Sequence, residues 1–309
     1  MTSFQVSLKK FQGCLVASAM GDALCASREG GYLERLLWRI IGKTSNGLHR
    51  YTDDTQMSID LARHLLRYGS VQQDELAREF AASYRWSRGY GPGAAMILKK
   101  IRDGVDWRIA CRARYPTGSF GNGAAMRIPV LALFYQDRPH ELKDAVELSS
   151  VITHAHPAAI MGAMLMALAV IQALSDVTPV EAISFIMAEC NQEVFLRRMI
   201  VVQEYLSTGI IPDSGSLRRS LGTGISAIDS CPASILIGMF YRNHPLDHLI
   251  SYVKTCKGDT DTIGAMAASI WGAYNGIHQI PTKDIASIEN HAELMDIASS
   301  LYAKHPKQG

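Results

Sequence analysis

Apolar residues along this 309-residue chain recur at helical spacing. Met57, Leu61 and Leu65 stand four residues apart, and Leu76, Phe80 and Tyr84 repeat the interval. Ala94, Ile97, Leu98 and Ile101 predict a helix that stops near Gly104, and Leu142, Val146, Val151 and Ile152 predict another. Pro179, where a helix start tolerates proline, leads into Ile183, Ile186 and Met187. Further helices are expected over 246–253 and 263–274, and in the latter Ile263, Met266, Ala267, Ile270, Trp271 and Tyr274 share one stripe. Alternating strand patterns, Pro/Ser-rich linkers and repeats of about 20–50 residues are missing from the sequence. The expectation is one all-α domain over 1–309, with its core in about 11–280. Its irregular parts should be the glycine-rich loops Ser87–Gly93, Pro116–Arg127 and Arg219–Pro232.

Two apolar stretches imitate export or membrane signals. "KKFQGCLVASAMGDALCA" has a basic start and an apolar middle, but Asp22 interrupts it, so it reads as continuing domain sequence. Pro157–Leu174 is nearly long enough to span a bilayer. It stands alone and is rich in Ala, Gly and Met, which predicts a helix buried on all sides. Composition supports a compact soluble protein, with 48% apolar and 19% charged residues. A net charge of +2 without a basic run gives no reason to expect nucleic acid or membrane as partner. A cytoplasmic monomer is the expectation. The six cysteines form no CxxC pair and are expected to be reduced and mostly buried.

Chemistry gathers at two helix starts, "YTDDTQM" (Tyr51–Met57) and "KGDTDTIG" (Lys257–Gly264). Thr and Asp are favoured N-caps, and carboxylates suit the positive end of a helix. Either cluster alone could be a cap, yet one cap needs one such residue, and each start carries two acids beside threonines. Four converging aspartates repel unless some stay protonated or a cation joins them. Oxygen ligands of this kind suit Mg²⁺ or Ca²⁺. An EF-hand does not fit, because Ile263 stands where an oxygen ligand belongs and no acid closes the loop. Zinc is disfavoured by the lack of His or Cys inside either cluster. Asp22 and Glu29, in "GDALCASRE", form a third and weaker acidic element.

"GSFGNG" (Gly118–Gly123) fits GxxGxG better than the dinucleotide pattern GxGxxG, and no strand precedes it. Ordinary turns would explain any one such loop. Glycines also let backbone N–H groups approach pyrophosphate oxygens. In "THAHP", His154 and His156 are two residues apart before a long apolar helix, which suits capping or ligand contact better than zinc.

In order, "GDALCASRE", "YTDDTQM", "RGYGPG", "GSFGNGAAMR", "THAHP", "GTGISAIDSCP" and "GDTDTIGAMAASIWGAYNG" resemble the ADP-ribosylglycohydrolase family. That family includes dinitrogenase-reductase-activating glycohydrolase and the vertebrate ADP-ribosylhydrolases. The resemblance runs from about residue 11 to 276 and implies an orthogonal helical bundle with two Mg²⁺ ions, replaceable by Mn²⁺, at the bottom of a cleft. It implies that Thr52, Asp53 and Asp54 supply one group of metal ligands, and Asp259, Asp261 and Thr262 the other. Glu29 resembles a flexible-loop glutamate, and with Asp54 and Asp261 it makes the expected catalytic set. Gly118, Ser119, Phe120, Gly121 and Asn122 would cradle the diphosphate and distal ribose. Tyr90, Gly91, Gly93 and His154 would also touch ADP-ribose, with Gly224 and Ile225 near the adenosine. Phe120 departs from the tyrosine of the serine-specific vertebrate enzyme, keeping the ring and losing a hydroxyl.

The implied reaction is hydrolysis at the anomeric C1″ of ADP-ribose attached to a protein side chain or other conjugate, through an oxocarbenium-like state. Divalent cations would hold the ribose hydroxyls and sharpen a water nucleophile. Glu29, "RGYGPG" and "GTGISAIDSCP" are similar to the serine-type branch, which favours an O-linked substrate. Family alternatives are an arginine N-glycosidic bond, poly(ADP-ribose) or O-acetyl-ADP-ribose, and a non-catalytic or crystallin-like role. The leaving group should be discriminated by the segment from Gly30 to Arg50.

Overall fold

The computed structural model describes residues 6–305, apart from Gly31 and Asp176. Among the described residues there are seventeen α-helices and no strand, so the all-α expectation holds. Helices Asp53–Tyr68, Pro92–Arg102, Pro179–Ala188, Leu246–Thr255 and Thr260–Asn275 lie where the apolar spacing puts them. The helix over Pro139–Ser150 ends sooner than expected, leaving Val151 and Ile152 in the following turn.

Two differences from the sequence reading have physical causes. The first half of "GTGISAIDSCP" is a loop, but helix Ala227–Phe240 begins inside the motif and carries Pro232 within it. Ser226 caps this start, accepting from Ile228 N at 3.2 Å. In this second turn of the helix, proline removes the backbone bond to the Ile228 carbonyl, a cost that burial of the surrounding segment offsets. The second is the helix over Leu8–Cys25, which periodicity did not mark. It is buried on nearly every side and has no polar face to set a period.

That helix is the architectural axis. It runs against Thr260–Asn275, and glycines allow the backbones to touch. A Cβ on Gly13 would lie 2.5 Å from Gly272 O, and one on Gly21 would lie 2.1 Å from Gly264 O. The pairing of Gly13 with Gly272 and Gly21 with Gly264 makes the helices antiparallel. The end of the first helix, with Asp22 and then Glu29, is thereby set beside the start of the second, with Asp259 and Asp261. Pro157–Leu174 packs against both Ala227–Phe240 and Thr260–Asn275 with 72% of its length inside, so it is a core helix here. Five cysteines are buried, Cys190 is half-buried, and all six are free thiols.

Candidate functional site

Asp53–Tyr68 starts with Thr52, whose hydroxyl accepts from Asp54 N at 3.3 Å. A second carboxylate secures the same turn. Asp22 accepts from Thr52 N at 3.0 Å, from Thr55 N at 3.1 Å and from the Thr55 hydroxyl at 2.6 Å. This makes Asp22 a structural tie at the positive end of the helix. Burial lifts its carboxyl to about 6, against the opposing pull of those threonines.

The two acidic helix starts meet. Thr262 donates its hydroxyl to Asp54 Oδ1 at 3.1 Å. Carboxylate oxygens of Asp22, Asp54 and Asp261 lie within 4.8 Å of one another, and so do those of Glu29, Asp259 and Asp261. Asp54, Asp259 and Asp261 are buried, whereas Asp53 and Glu29 are half-buried. Burial first, and then neighbouring acids, pushes Asp53, Asp54 and Asp261 well above the usual carboxylate range. The largest charged influences on these three come from other acids. Asp54 Oδ2 is buried without a hydrogen-bond donor. A buried, oxygen-only donor set with an orphaned carboxylate oxygen suits a hard divalent cation.

The glycine loop rises from this centre. Asn122 donates Nδ2 to Asp259 Oδ2 at 2.6 Å and to Ser230 Oγ at 2.9 Å. Its backbone N donates to Ile225 O at 3.0 Å, and Ala227 N donates to Phe120 O at 3.0 Å, which ties this loop to the one before Ala227–Phe240. Phe120 is 48% exposed and Ile225 is 70% exposed, so two large apolar side chains stand bare on adjoining loops. Gly118 takes φ +86°, and a Cβ there would meet His156 N at 2.5 Å. His154 packs under the loop, because a Cβ on Gly123 would lie 2.5 Å from its Cε1 and one on Gly121 would lie 3.3 Å from its Nε2. Burial, with Arg127 nearby, lowers the imidazole to about 3 and keeps it neutral. His156 is a cap, accepting from Ala158 N at 3.1 Å.

Tyr90 is buried with its ring 4.9 Å from Tyr84, while Gly91 is exposed and Gly93 half-buried. The "RGYGPG" segment therefore turns its tyrosine inward. Gly224 follows Thr223, whose carbonyl accepts from Asp259 N at 2.9 Å. The predicted acidic residues thus share one centre, the loops with Asn122 and Gly224 adjoin it through Asp259, and His154 and Tyr90 lie buried.

The profile described as ADP-ribosylglycohydrolase matches residues 5–309. The chain belongs to the ADP-ribosylglycohydrolase family. It is 31% identical to "ADP-ribosylhydrolase ARH3" of Gallus gallus, over 97% of this chain and 94% of that protein. Identity to the protein of that name in Homo sapiens is 30%, over 96% and 93% of the two chains. A solved "ADP-ribosylglycohydrolase-related protein complex" shares the fold with a TM-score of 0.70 at 21% identity, covering 96% of this chain and 98% of its own. Membership in this family makes the protein a glycosidase-type hydrolase.

Further residues of this ADP-ribosylglycohydrolase escaped the sequence reading. Arg127 is fully buried, donating to Gly123 O at 2.6 Å, Ser149 O at 3.0 Å and Thr153 Oγ1 at 3.0 Å. Thr153 Oγ1 is in turn 2.8 Å from His154 Nδ1, so one guanidinium fixes both the glycine loop and its support. Glu289 accepts from Tyr51 N at 2.9 Å and pairs with Arg88, which donates to Tyr51 O at 2.8 Å and lies over the Tyr51 ring. This clamp holds the residue before Thr52. Tyr115 stands 6.4 Å from Phe120 and against Gly93. "GAAMR" contained the only hint, an arginine in an otherwise apolar stretch. Nothing local in the sequence connects Glu289 with Tyr51.

Proposed function

We propose that the protein is a divalent-cation-dependent ADP-ribosylhydrolase that removes ADP-ribose from modified protein side chains by hydrolysis at C1″, with an O-linked serine favoured. The observation that carries this reading is the convergence of two acidic helix starts on one buried oxygen cluster, closed by the Thr262–Asp54 hydrogen bond. Thr52, Asp53 and Asp54 on one side, and Asp259, Asp261 and Thr262 on the other, are the groups that would hold Mg²⁺ or Mn²⁺. A bound divalent ion supplies Lewis acidity and offsets the charge of the acids around it.

The chain's own residues do the rest. The Gly118–Asn122 loop, free of side chains at two points, receives the diphosphate, and Phe120 with Ile225 covers apolar ligand surface. Asn122 couples that loop to Asp259 and so fixes the distance between diphosphate and anomeric carbon. Glu29, within 4.8 Å of the Asp259 and Asp261 oxygens, takes a proton from the attacking water or returns one to the leaving oxygen. Such a role contributes about 10²–10⁴-fold.

The linkage preference has support from charge. Ser27, Arg28, Arg35, Leu36 and Arg39 line a cavity of about 380 Å³ next to Glu29 in the chain. A wall with three guanidiniums disfavours a fourth on the leaving group, which argues against an arginine-linked substrate. Gly31, within this segment, lies outside the described residues. Release of ADP-ribose from serine-linked and arginine-linked peptides, side by side with Mg²⁺ and with EDTA, tests the reading. Faster Mg²⁺-dependent release from the serine peptide is expected. No release from either overturns the enzyme, and faster release from the arginine peptide overturns the linkage.

A further inference from the structure

A second strongly charged cavity adjoins the proposed ligand cleft. It measures about 450 Å³ and lies along the Gly222–Gly224 loop, where Arg198, Arg218, Arg219 and Lys257 meet a single carboxylate, Asp229. Its position is fixed by backbone constraints. Gly222 takes φ +81°, and a Cβ there would lie 2.5 Å from Asp229 Cγ. Gly258 takes φ +103°, and a Cβ there would lie 2.0 Å from Thr223 O. No other residue type fits either position without moving the loop.

The cations divide into two sets. Arg198 is anchored, donating Nη1 to Ser220 O at 3.0 Å and Nη2 to Asp229 Oδ1 at 3.4 Å. Arg219 donates to Ser216 Oγ at 2.9 Å. Among the described residues, the side chains of Arg218 and Lys257 make no hydrogen bond or ion pair and are exposed. The one carboxylate is already engaged, so the wall keeps an excess of positive charge. Lys257 stands two residues before Asp259, and Gly224 stands directly before the bare Ile225. The cavity therefore borders the end of the cleft assigned above to adenosine, outside the acidic centre.

We propose that this cavity is a phosphate subsite that receives a phosphate ester carried on the adenosine ribose of the ligand. The proposal rests on the ADP-ribose reading of the cleft. Planar guanidinium donors and an ammonium match phosphate oxygens in charge and geometry. Glycines on both sides let the ester approach the backbone.

Calorimetry in Mg²⁺ buffer at low salt tests it with ADP-ribose, ADP-ribose 2′-phosphate and inorganic phosphate. The 2′-phosphate should bind about tenfold tighter than ADP-ribose, the worth of one charge-assisted contact. That gain should shrink as salt rises. Arg218→Glu with Lys257→Glu should abolish the gain and leave ADP-ribose affinity unchanged. Alanine at both positions should reduce the gain, and covers the case in which charge reversal disturbs folding. Equal affinities for the two nucleotides in the wild-type protein overturn the subsite while the cleft reading stands. Binding of neither nucleotide overturns both. Binding of inorganic phosphate without any gain for the 2′-phosphate shows a free-anion pocket and overturns the proposal.

Discussion

The Thr262 hydroxyl donates to Asp54 Oδ1 at 3.1 Å, joining two helix starts 208 residues apart in the chain. Each acidic start is an ordinary over-supplied cap when taken alone. Together they concentrate buried carboxylates on which the largest charged influences are other acids. In the metal-free protein this is repulsive, so Asp54→Asn should raise the melting temperature in EDTA by about 1–2 °C, equivalent to about 1 kcal/mol for a chain of this size. The same substitution should abolish the stabilisation that Mg²⁺ gives the wild-type protein. A lower melting temperature in EDTA would show that Asp54 is a structural group first.

Asn122 links the ligand loop to the acidic centre through its 2.6 Å bond to Asp259. Asn122→Ala should weaken metal binding and activity together, by about 10–100-fold, as loss of an outer partner of a ligand does. Titration of Mg²⁺ and of ADP-ribose into the variant checks this. A change in ADP-ribose affinity alone would limit Asn122 to the ligand loop.

His154 gives the protein a specific acid sensitivity. Its imidazole is lowered to about 3 by burial, so the folded state binds the proton less readily than the unfolded chain. The stability this neutral ring supports is fully present above the unfolded value near 6.5 and falls as pH drops toward 3. At pH 5.5 the loss should be about 1.4 kcal/mol, for one unit below the unfolded value. Urea unfolding across pH 5 to 8 should show this slope in the wild-type protein, and His154→Gln should flatten it. An unchanged slope in the variant would assign the acid sensitivity elsewhere.

The Arg88–Glu289 pair is nearly buried, with side chains 12% and 10% exposed. Removing one partner of such a pair leaves the other charge uncompensated, so Glu289→Ala should destabilise by about 3–5 kcal/mol. Mg²⁺ affinity should fall as well, because Tyr51 leads directly into Thr52. Denaturation and metal titration of the variant measure both effects. A loss below about 1 kcal/mol would remove the clamp from the account.

The legibility of the chain follows from the range of its contacts. Helices with one apolar face, such as Asp53–Tyr68 and Leu246–Thr255, declare themselves by period. Leu8–Cys25 does not, since burial on every side erases the polar half of the pattern. Its glycines at 13 and 21, and their partners at 272 and 264, matter only in pairs, and no single-sequence rule matches them. The acidic site was legible because each half is local, two acids and threonines at a helix start. Asp22 was seen but undervalued, because its role depends on reaching Thr52 and Thr55. Arg127 and Glu289 were missed for the same reason, as charged residues whose partners lie far along the chain. Pro232 departs from its usual meaning, since it stands inside a helix whose surrounding segment is buried, and that burial offsets the lost backbone bond.

The central claim is that the two helix starts form one cation site. Calorimetric titration of Mg²⁺ into the wild-type protein, Asp54→Asn and Asp261→Asn tests it most directly, because the two substitutions lie on different helices. The account predicts that the wild-type protein binds Mg²⁺ and that each substitution alone abolishes binding or weakens it by at least about tenfold, a change of about 1.4 kcal/mol. Full wild-type affinity in either variant would contradict it.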